Sequence, residues 1–450
     1  MTAAFIIAEY NPFHRGHEYH IAKTREELAP DAMVCVMSGH FTQRGSASVA
    51  DKWARARMAL HAGADIVLEL HPVYACSSAE GFARGALKTA ACLTEAGGWL
   101  SFGAECTDTG LLSEFAQILR DEPVQYKALL GSALGSGKSY AAARQEALAD
   151  YYPGISAPIS TPAAKSRSTL TAILKAPNNI LAIEYIRAIN TYGLPFTPHA
   201  IPRIGRRSTE AHDANIRTQD AINRASDGYA GASEIRGMLR EKYGEHGNGC
   251  DWRRSNSNTC QAKIEDALPQ YSVALLNAEF SMGRGPVFDE HFYPQLKTIF
   301  LREAPEYARA FADVSEGLEN RLYKAMLASS CYGGLISLAG SRRYPDSRIR
   351  RILTRILLGY KAGVLGTLDV ESGPPYLRVL GFSAAGRKLL ASAKASVPVI
   401  TNYKALRRAD PRSKEFMRLE ARATDIYAAA YQNPAFRASG QDFIRSPARL

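Results

Sequence analysis

The stretch Phe5-Ile-Ile-Ala-Glu-Tyr-Asn-Pro-Phe-His-Arg-Gly-His-Glu-Tyr-His20 decides the fold. Phe5 to Ala8 is a short apolar run, either a buried strand or a piece of buried helix, and the punctuation Tyr10-Asn11-Pro12 straight after it favours the strand. Pro12 biases Asn11 away from helical backbone. His17, His20 and Ile21 then fall at helical spacing, so the order is strand, tight turn, helix. That order puts His14-Arg-Gly-His17 at a helix N-terminus, where free N–H groups and the positive dipole end favour a phosphate. His14 and His17, three apart in the first turn, project to one side and both donate hydrogen bonds to phosphate oxygens. Gly16 between them leaves the backbone open to a flat ring or a sugar. The plainer alternative is that one histidine caps the helix and the other sits on the surface.

Working outward, Ala32–Met37 reads as a second strand that delivers the loop Gly39–Gly45, with Gln43 and Arg44, to the same crevice at the strand carboxyl ends. Asp51–Ala62 is helical and stops at Gly63. Asp65–Leu70 is a third strand, Ser77–Leu93 a helix, and Trp99–Phe102 a fourth strand ending at Gly103. Strand and helix alternating in this rhythm predict a doubly wound parallel sheet, an α/β Rossmann-like domain. Residues 108–150 read as helices. Gly131-Ser-Ala-Leu-Gly-Ser-Gly-Lys-Ser139 imitates a P-loop, but its spacing is off by one residue and a helical run precedes it, so it reads as a helix-to-helix turn.

The strings around these elements carry a resemblance. His14-Arg-Gly-His17 resembles the signature of the H-x-G-H nucleotidyltransferase superfamily, whose members bind ATP on a doubly wound sheet and react at its α-phosphorus. Glu9-Tyr-Asn-Pro-Phe-His-Arg-Gly-His17, Met37-Ser-Gly-His-Phe-Thr-Gln-Arg-Gly45, Asp51-Lys-Trp53, Asn178-Asn-Ile-Leu-Ala-Ile-Glu-Tyr185 and Val379-Leu-Gly-Phe382 resemble the bacterial tRNA(Met) cytidine acetate ligase family. The resemblance runs from the N-terminus to about residue 400. It implies nucleotide contacts from the strand end and turn, Ile7, Ala8, Glu9, Tyr10, Asn11, Pro12 and Phe13, and from the helix start, His14, Arg15, Gly16, His17, Glu18, Tyr19 and His20. It implies further ATP contacts at Gly103, at Asn178 or Asn179 toward ribose or base, and at Arg203 and Ile204, where the guanidinium would pair with polyphosphate. Ser233 and Arg236 resemble the second superfamily signature, a helix start that grips the β- and γ-phosphates. Gly231 departs from that pattern, standing where it has a hydroxyl residue.

The resemblance also implies a reaction: acetate attacks ATP to give acetyl-adenylate, and acetyl passes to N4 of the wobble cytidine of elongator tRNA(Met). His14 and His17 would be the catalytic pair, ATP the substrate, and Mg²⁺ the neutraliser of its polyphosphate. No serine, cysteine or lysine is paired with a base in a local motif, which argues for direct displacement over a covalent enzyme intermediate. Two other readings share the residues. A small-molecule adenylyltransferase uses the same sheet, and a non-catalytic RNA-binding protein would keep the fold without the chemistry.

At 450 residues the chain has room for two or three domains. Residues 1–245 are expected to form the nucleotide-binding domain. The Gly-, Ser- and Asn-rich segment 246–261 reads as a linker or insertion, and 262–450 as a mainly α-helical domain. The formal net charge of +11 and a pI near 9.2 indicate attraction to a polyanion. The densest basic run, Ser341–Arg355, has Arg342, Arg343, Arg348, Arg350, Arg351 and Arg355 over an apolar helical face of Ile349, Ile352, Leu353, Ile356 and Leu357. With Tyr344 for stacking, those six arginines are the expected RNA-binding surface, extended by Arg407, Arg408, Arg412, Lys414 and Arg418. Seven cysteines without C-x-x-C or metal spacing suggest free thiols. No metal site, leader segment or membrane span is evident, so a cytoplasmic protein is expected.

Overall fold

In the computed structural model, which describes residues 2–155, 166–204, 228–243 and 257–450, the chain is built on a single sheet. β1 (Ala3–Ala8), β2 (Ala32–Ser38), β3 (Ile66–Leu70), β4 (Gly98–Ala104) and β5 (Phe196–Pro202) are all parallel, in the order β5-β4-β1-β2-β3. The order reverses between β1 and β4, and a ligand of such a sheet binds outside the strand carboxyl ends at that reversal. Both strands end in the residues singled out above, Glu9 to His17 after β1 and Gly103 in β4.

The strands are apolar on both faces because helices cover both. Val34, Val36, Leu68 and Leu100 pack to one side with Phe82, Leu87 and Ile183. Ile6, Met33, Cys35 and Val67 pack to the other with Trp53, Met58 and Phe280. Helix α1 (Arg15–Leu28) follows β1, and α2 (Lys52–His61) follows β2, opened by Asp51, whose Oδ1 accepts from the Ala54 amide at 2.7 Å. Gly131–Ser139 spans the end of helix Val124–Gly135 and the start of helix Tyr140–Ile155, so it is the helix-to-helix turn expected.

The C-terminal half is helical for most of its length, but it also returns to the sheet. β6 (Leu377–Phe382) pairs antiparallel with β3, Ile66 opposite Phe382, and β7 (Val399–Ile400) and β8 (Ala448–Arg449) run parallel to β6. A separate helical core is confined to residues between Leu296 and Ile356. The region 262–450 therefore carries three strands of the nucleotide-binding sheet. Local pattern hid β6, because Arg378 interrupts its apolar run; the guanidinium is buried beside Asp442, at 3.7 Å. The expected linker 246–261 lies outside the described residues as far as residue 256.

Since Leu380 is fully buried in the layer that holds Ile6 and Met33, Leu380→Ala is expected to cost about 2–5 kcal/mol and to lower the unfolding midpoint of the whole sheet in one transition. Calorimetry that showed the N-terminal half melting unchanged, with a separate C-terminal transition, would contradict this arrangement.

Candidate functional site

At the end of β1 the chain turns through Tyr10, in left-handed backbone at φ 49°, and a cis Asn11–Pro12 bond into α1. His14 is the N-cap of that helix. Its Nδ1 accepts from the Gly16 amide at 3.1 Å, and His17 Nδ1 accepts from the His14 amide at 3.3 Å, a reciprocal capping box made by two imidazoles. The rings stack with centroids 3.7 Å apart and planes 24° from parallel. The capping role and the phosphate role are thus compatible in one residue. An Nδ1 that accepts leaves the proton of a neutral ring on Nε2, so each histidine keeps one N–H donor outside the cap.

Burial keeps both rings neutral. His14, 5 % exposed, is pushed down to about 3 by desolvation, then by Arg203 and Arg236. His17 is held well below the ordinary histidine value by burial, then by His14, Arg203 and His20. Gly16 is required by this packing: a Cβ there would stand 2.9 Å from His14 Cε1. The open backbone expected at Gly16 is therefore covered by the His14 ring itself.

The other residues of the run divide by where their side chains go. Tyr10 and Phe13 are core, against the sheet. Asn11 is buried and bonds to the Val49 amide and the Ala47 carbonyl. Arg15 donates to the Asp266 carbonyl at 2.6 Å, Glu18 accepts from the Tyr271 hydroxyl at 3.1 Å, and the Tyr19 ring lies near Tyr229. His20 pairs with Ser101 Oγ at 2.9 Å, behind the helix start, and is pushed down to about 4 by burial, Arg203 and His199. Pro12 is buried, Ile7 and Ala8 are half-buried, and Glu9 Oε1 accepts from the Gln43 amide at 2.6 Å. From this run, the side chains of His14 and His17 bond within the helix cap, and that of Glu9 to the loop after β2.

Across the reversal, the Arg203 side chain lies over Gly103, where an added Cβ would come within 3.3 Å of Arg203 Cγ. Arg203 Nη1 donates to Asn178 Oδ1 at 3.1 Å, and Asn178 Nδ2 donates to Glu105 Oε1 at 2.5 Å. Ile204 is half-buried beside them. Asn179 is used differently: its Oδ1 accepts from the Glu105 and Cys106 amides and its Nδ2 donates to the Ile173 carbonyl. Buried and bonded at both ends of its amide, it fixes the end of β4 to helix Pro177–Tyr192, while Asn178 stays half-buried between Arg203 and Glu105. Helix Ala232–Tyr243 comes in from the other side. Its Arg236 donates to the Asn11 carbonyl at 2.8 Å and to Ser233 Oγ at 3.0 Å, which docks the second signature on the first.

The loop after β2 bonds to Glu9 and touches the basic helix Asp346–Leu358. Gly45, at φ +71°, leaves no space for a side chain, since a Cβ would meet the Arg351 amide at 2.3 Å; Thr354 Oγ1 donates to the Gly45 carbonyl at 2.9 Å. Arg44 is exposed on this loop, and Gln43 Nε2 donates to the Ser77 carbonyl at 3.3 Å. The helix has the apolar face expected, but its arginines are less free than their density suggests. Arg355 is buried against Asp313 at 2.5 Å, Arg350 pairs with Asp289 at 3.1 Å, Arg348 donates to the Asp313 carbonyl and Arg343 pairs with Glu316. Tyr344 is buried under Arg348 and not available for stacking. The neutralising acids come from segments distant in sequence, which a local charge count does not see. Arg351 is largely buried, Arg342 exposed; of the extension, Arg407, Arg408 and Lys414 are exposed, while Arg412 caps the Leu368 and Asp369 carbonyls and Arg418 pairs with Glu415.

A profile described as HIGH Nucleotidyl Transferase matches residues 1–442. A tRNA(Met) cytidine acetate ligase of Acetivibrio thermocellus is 38% identical over 451 residues, covering 99% of both chains, and one of Thermoanaerobacter sp. strain X514 is 36% identical with the same coverage. The chain belongs to the tRNA(Met) cytidine acetate ligase family. The crystal structure of Thermotoga maritima TmcAL bound with α-thio ATP is 30% identical, covers all of both chains and superposes with a TM-score of 0.84. The family likeness extends past residue 400, through the strands that close the sheet.

Three residue types went unread in the sequence: Arg55, buried on α2; Asn11 as a strut; and Asp289, which accepts from the Ala47 amide at 2.7 Å and pairs with Arg350. The signal for Arg55 was an arginine between Ala54 and Ala56, one turn before Met58 and Ala59 on the buried side of α2. Among the described residues no group of three or more His, Cys, Asp and Glu side chains gathers as a metal site, and no helix is long and apolar enough to cross a membrane. Cys35, Cys76 and Cys92 carry free thiols.

Neutral burial sets the direction of a pH effect. In the unfolded chain the rings take up protons near pH 6.5, while in the folded chain His14 and His20 resist until about 3 and 4. Below about pH 6.5 the unfolded state therefore binds more protons, and stability falls by about 1.4 kcal/mol per pH unit per ring. Unfolding midpoints measured from pH 7 to 4.5 are expected to fall less steeply in His20→Gln than in the unsubstituted protein; equal slopes would contradict the neutral assignment.

Proposed function

We propose that the protein is an ATP-dependent acetate ligase that forms acetyl-adenylate and transfers acetyl to N4 of the wobble cytidine of elongator tRNA(Met), giving N4-acetylcytidine. The observation that carries this reading is the pair of capping imidazoles, each with Nε2 left outside the cap, at the sheet reversal of a chain alike over its full length to ligases of that name. ATP lies across the ends of β1 and β4, with Arg203 and Asn178 on one side and Arg236 with Ser233 on the other. A carboxylate oxygen of acetate forms a bond to the α-phosphorus, the bond to the β-phosphate bridging oxygen breaks, and pyrophosphate leaves. His14 and His17 donate to the non-bridging and leaving oxygens as negative charge accumulates on them, and the N-terminal end of α1 adds its dipole. Neutral donors suit this task, because their hydrogen bonds strengthen with charge without a proton being given up.

In the second step N4 of cytidine forms a bond to the acetyl carbon, the carbon–oxygen bond to AMP breaks, and one N4 proton is released. Mg²⁺ would supply counter-charge to the polyphosphate. The described residues offer it no carboxylate set, so it would be held by phosphate oxygens. The tRNA backbone would run over the exposed cations Arg342, Arg407, Arg408 and Lys414, with Arg351 and Arg44 nearer the crevice. The free thiols and the tRNA substrate support a cytoplasmic setting.

With ATP, acetate and elongator tRNA(Met), the protein is expected to yield N4-acetylcytidine in nucleoside mass spectrometry, with AMP and pyrophosphate as co-products. His17→Ala is expected to fold and to lose at least about 10²–10³ in acetate-dependent ATP–pyrophosphate exchange. Near-normal exchange in that variant would remove the imidazoles from the mechanism. An AMP group retained on a small-molecule product would instead identify an adenylyltransferase.

A further inference from the structure

Arg55 sits in the middle of α2, fully buried. Its guanidinium donates to four backbone carbonyls: Nη1 to Glu9 at 2.7 Å and to Ser38 at 3.0 Å, Nη2 to Gly39, and Nε to Ala50 at 3.0 Å. Glu9 follows the last residue of β1, Ser38 is the last of β2 and Gly39 follows it, so one side chain joins the two neighbouring strands just past the end of their mutual ladder at Ala8 and Met37. Carbonyls at that point no longer pair between β1 and β2, and a buried carbonyl needs a donor. A planar fork with five N–H groups reaches four carbonyls from different residues, which an ammonium on a flexible stem does not.

Asn11 forms a second strut between the same two segments. Its Oδ1 accepts from the Val49 amide at 2.9 Å and its Nδ2 donates to the Ala47 carbonyl at 3.4 Å. Between the struts, the Gln43 amide meets Glu9 Oε1. The turn that carries His14 and the loop 39–49 are thereby held at a fixed spacing.

We propose that Arg55, with Asn11 as its partner, is a positioning residue for adenylate formation: it sets the distance between the imidazole-bearing turn and the loop after β2. The inference rests on the acetate-ligase reading of the crevice. Arg55 touches no substrate, so its loss acts on the alignment of the reacting groups and leaves the nucleotide contacts of Arg203 and Asn178 in place. Misplacement by about 1 Å in such a site costs on the order of 10² in rate.

The full-length protein carrying Arg55→Lys is expected to melt cooperatively, to bind ATP in calorimetry with little change in affinity, and to lose on the order of 10²-fold in kcat of acetate-dependent exchange with little change in KM for ATP. Asn11→Ala, which removes no buried charge, is expected to show the same split with a loss of about tenfold. Should Arg55→Lys fail to fold, Asn11→Ala decides by the same criterion. Wild-type kcat in the folded variants, with only a lowered melting midpoint, overturns the proposal, as does a raised KM for ATP at constant kcat. Absence of acetate-dependent exchange in the unsubstituted protein is a separate result, and it overturns the ligase reading and the positioning role together.

Discussion

Two imidazoles closing each other's backbone donors at the start of α1 are the constraint on which the site depends. A serine or aspartate would cap this helix as well, but neither would leave an N–H donor pointing away from the cap. A histidine whose Nδ1 accepts has its tautomer chosen for it, and stacking against a second histidine fixes the ring planes. Burial beneath Tyr10 and Phe13, together with Arg203 and Arg236 nearby, keeps the rings uncharged. The result is a rigid, neutral donor pair at the positive end of a helix dipole, where a phosphorus centre gathering negative charge is best served.

What holds that end of the sheet still comes largely from the far end of the chain. Lys52, fully buried on α2, bonds to Glu69 of β3 at 2.9 Å and to Asp442 at 2.8 Å. Burial and Glu420 push the Glu69 carboxyl up, while Lys52 opposes them. Glu420 in turn accepts from the Tyr376 hydroxyl at 2.7 Å and from that of Tyr403. Charged groups from residues 52–69 and from 376–442 thus pair in a buried interior, and removing one partner leaves an uncompensated buried charge. The loop between β2 and α2 is gripped from both sides, by Arg55 and Asn11 within the sheet domain and by Thr354, Asp289 and Tyr427 from the C-terminal half.

The parts of this arrangement that were legible in the sequence are those encoded over a few neighbouring residues. Phe5–Ala8 followed by Asn-Pro gave a strand and a turn; the 3.6-residue period gave α1; His14 and His17 at i and i+3 gave the pair. Partners far apart in sequence were not legible. Asn179 looked like a ligand contact because its debt to the Cys106 amide and the Ile173 carbonyl is written nowhere near it. The arginines of 342–355 looked free because Asp289, Asp313 and Glu316 lie at a distance. β6 was hidden by one arginine whose counter-charge, Asp442, is 64 residues on. The family likeness located the crevice, but only the packing shows which of its side chains are already engaged.

The direct test of the neutral donor pair is the nitrogen-15 spectrum of the imidazoles at neutral pH, assigned with His14→Gln and His17→Gln and titrated with a non-hydrolysable ATP analogue. Both residues are expected as the Nε2–H tautomer in the free protein, with the Nε2 signals moving on nucleotide addition and the Nδ1 signals holding still. Nδ1–H tautomers, imidazolium at pH 7, or Nε2 signals indifferent to nucleotide would contradict the account.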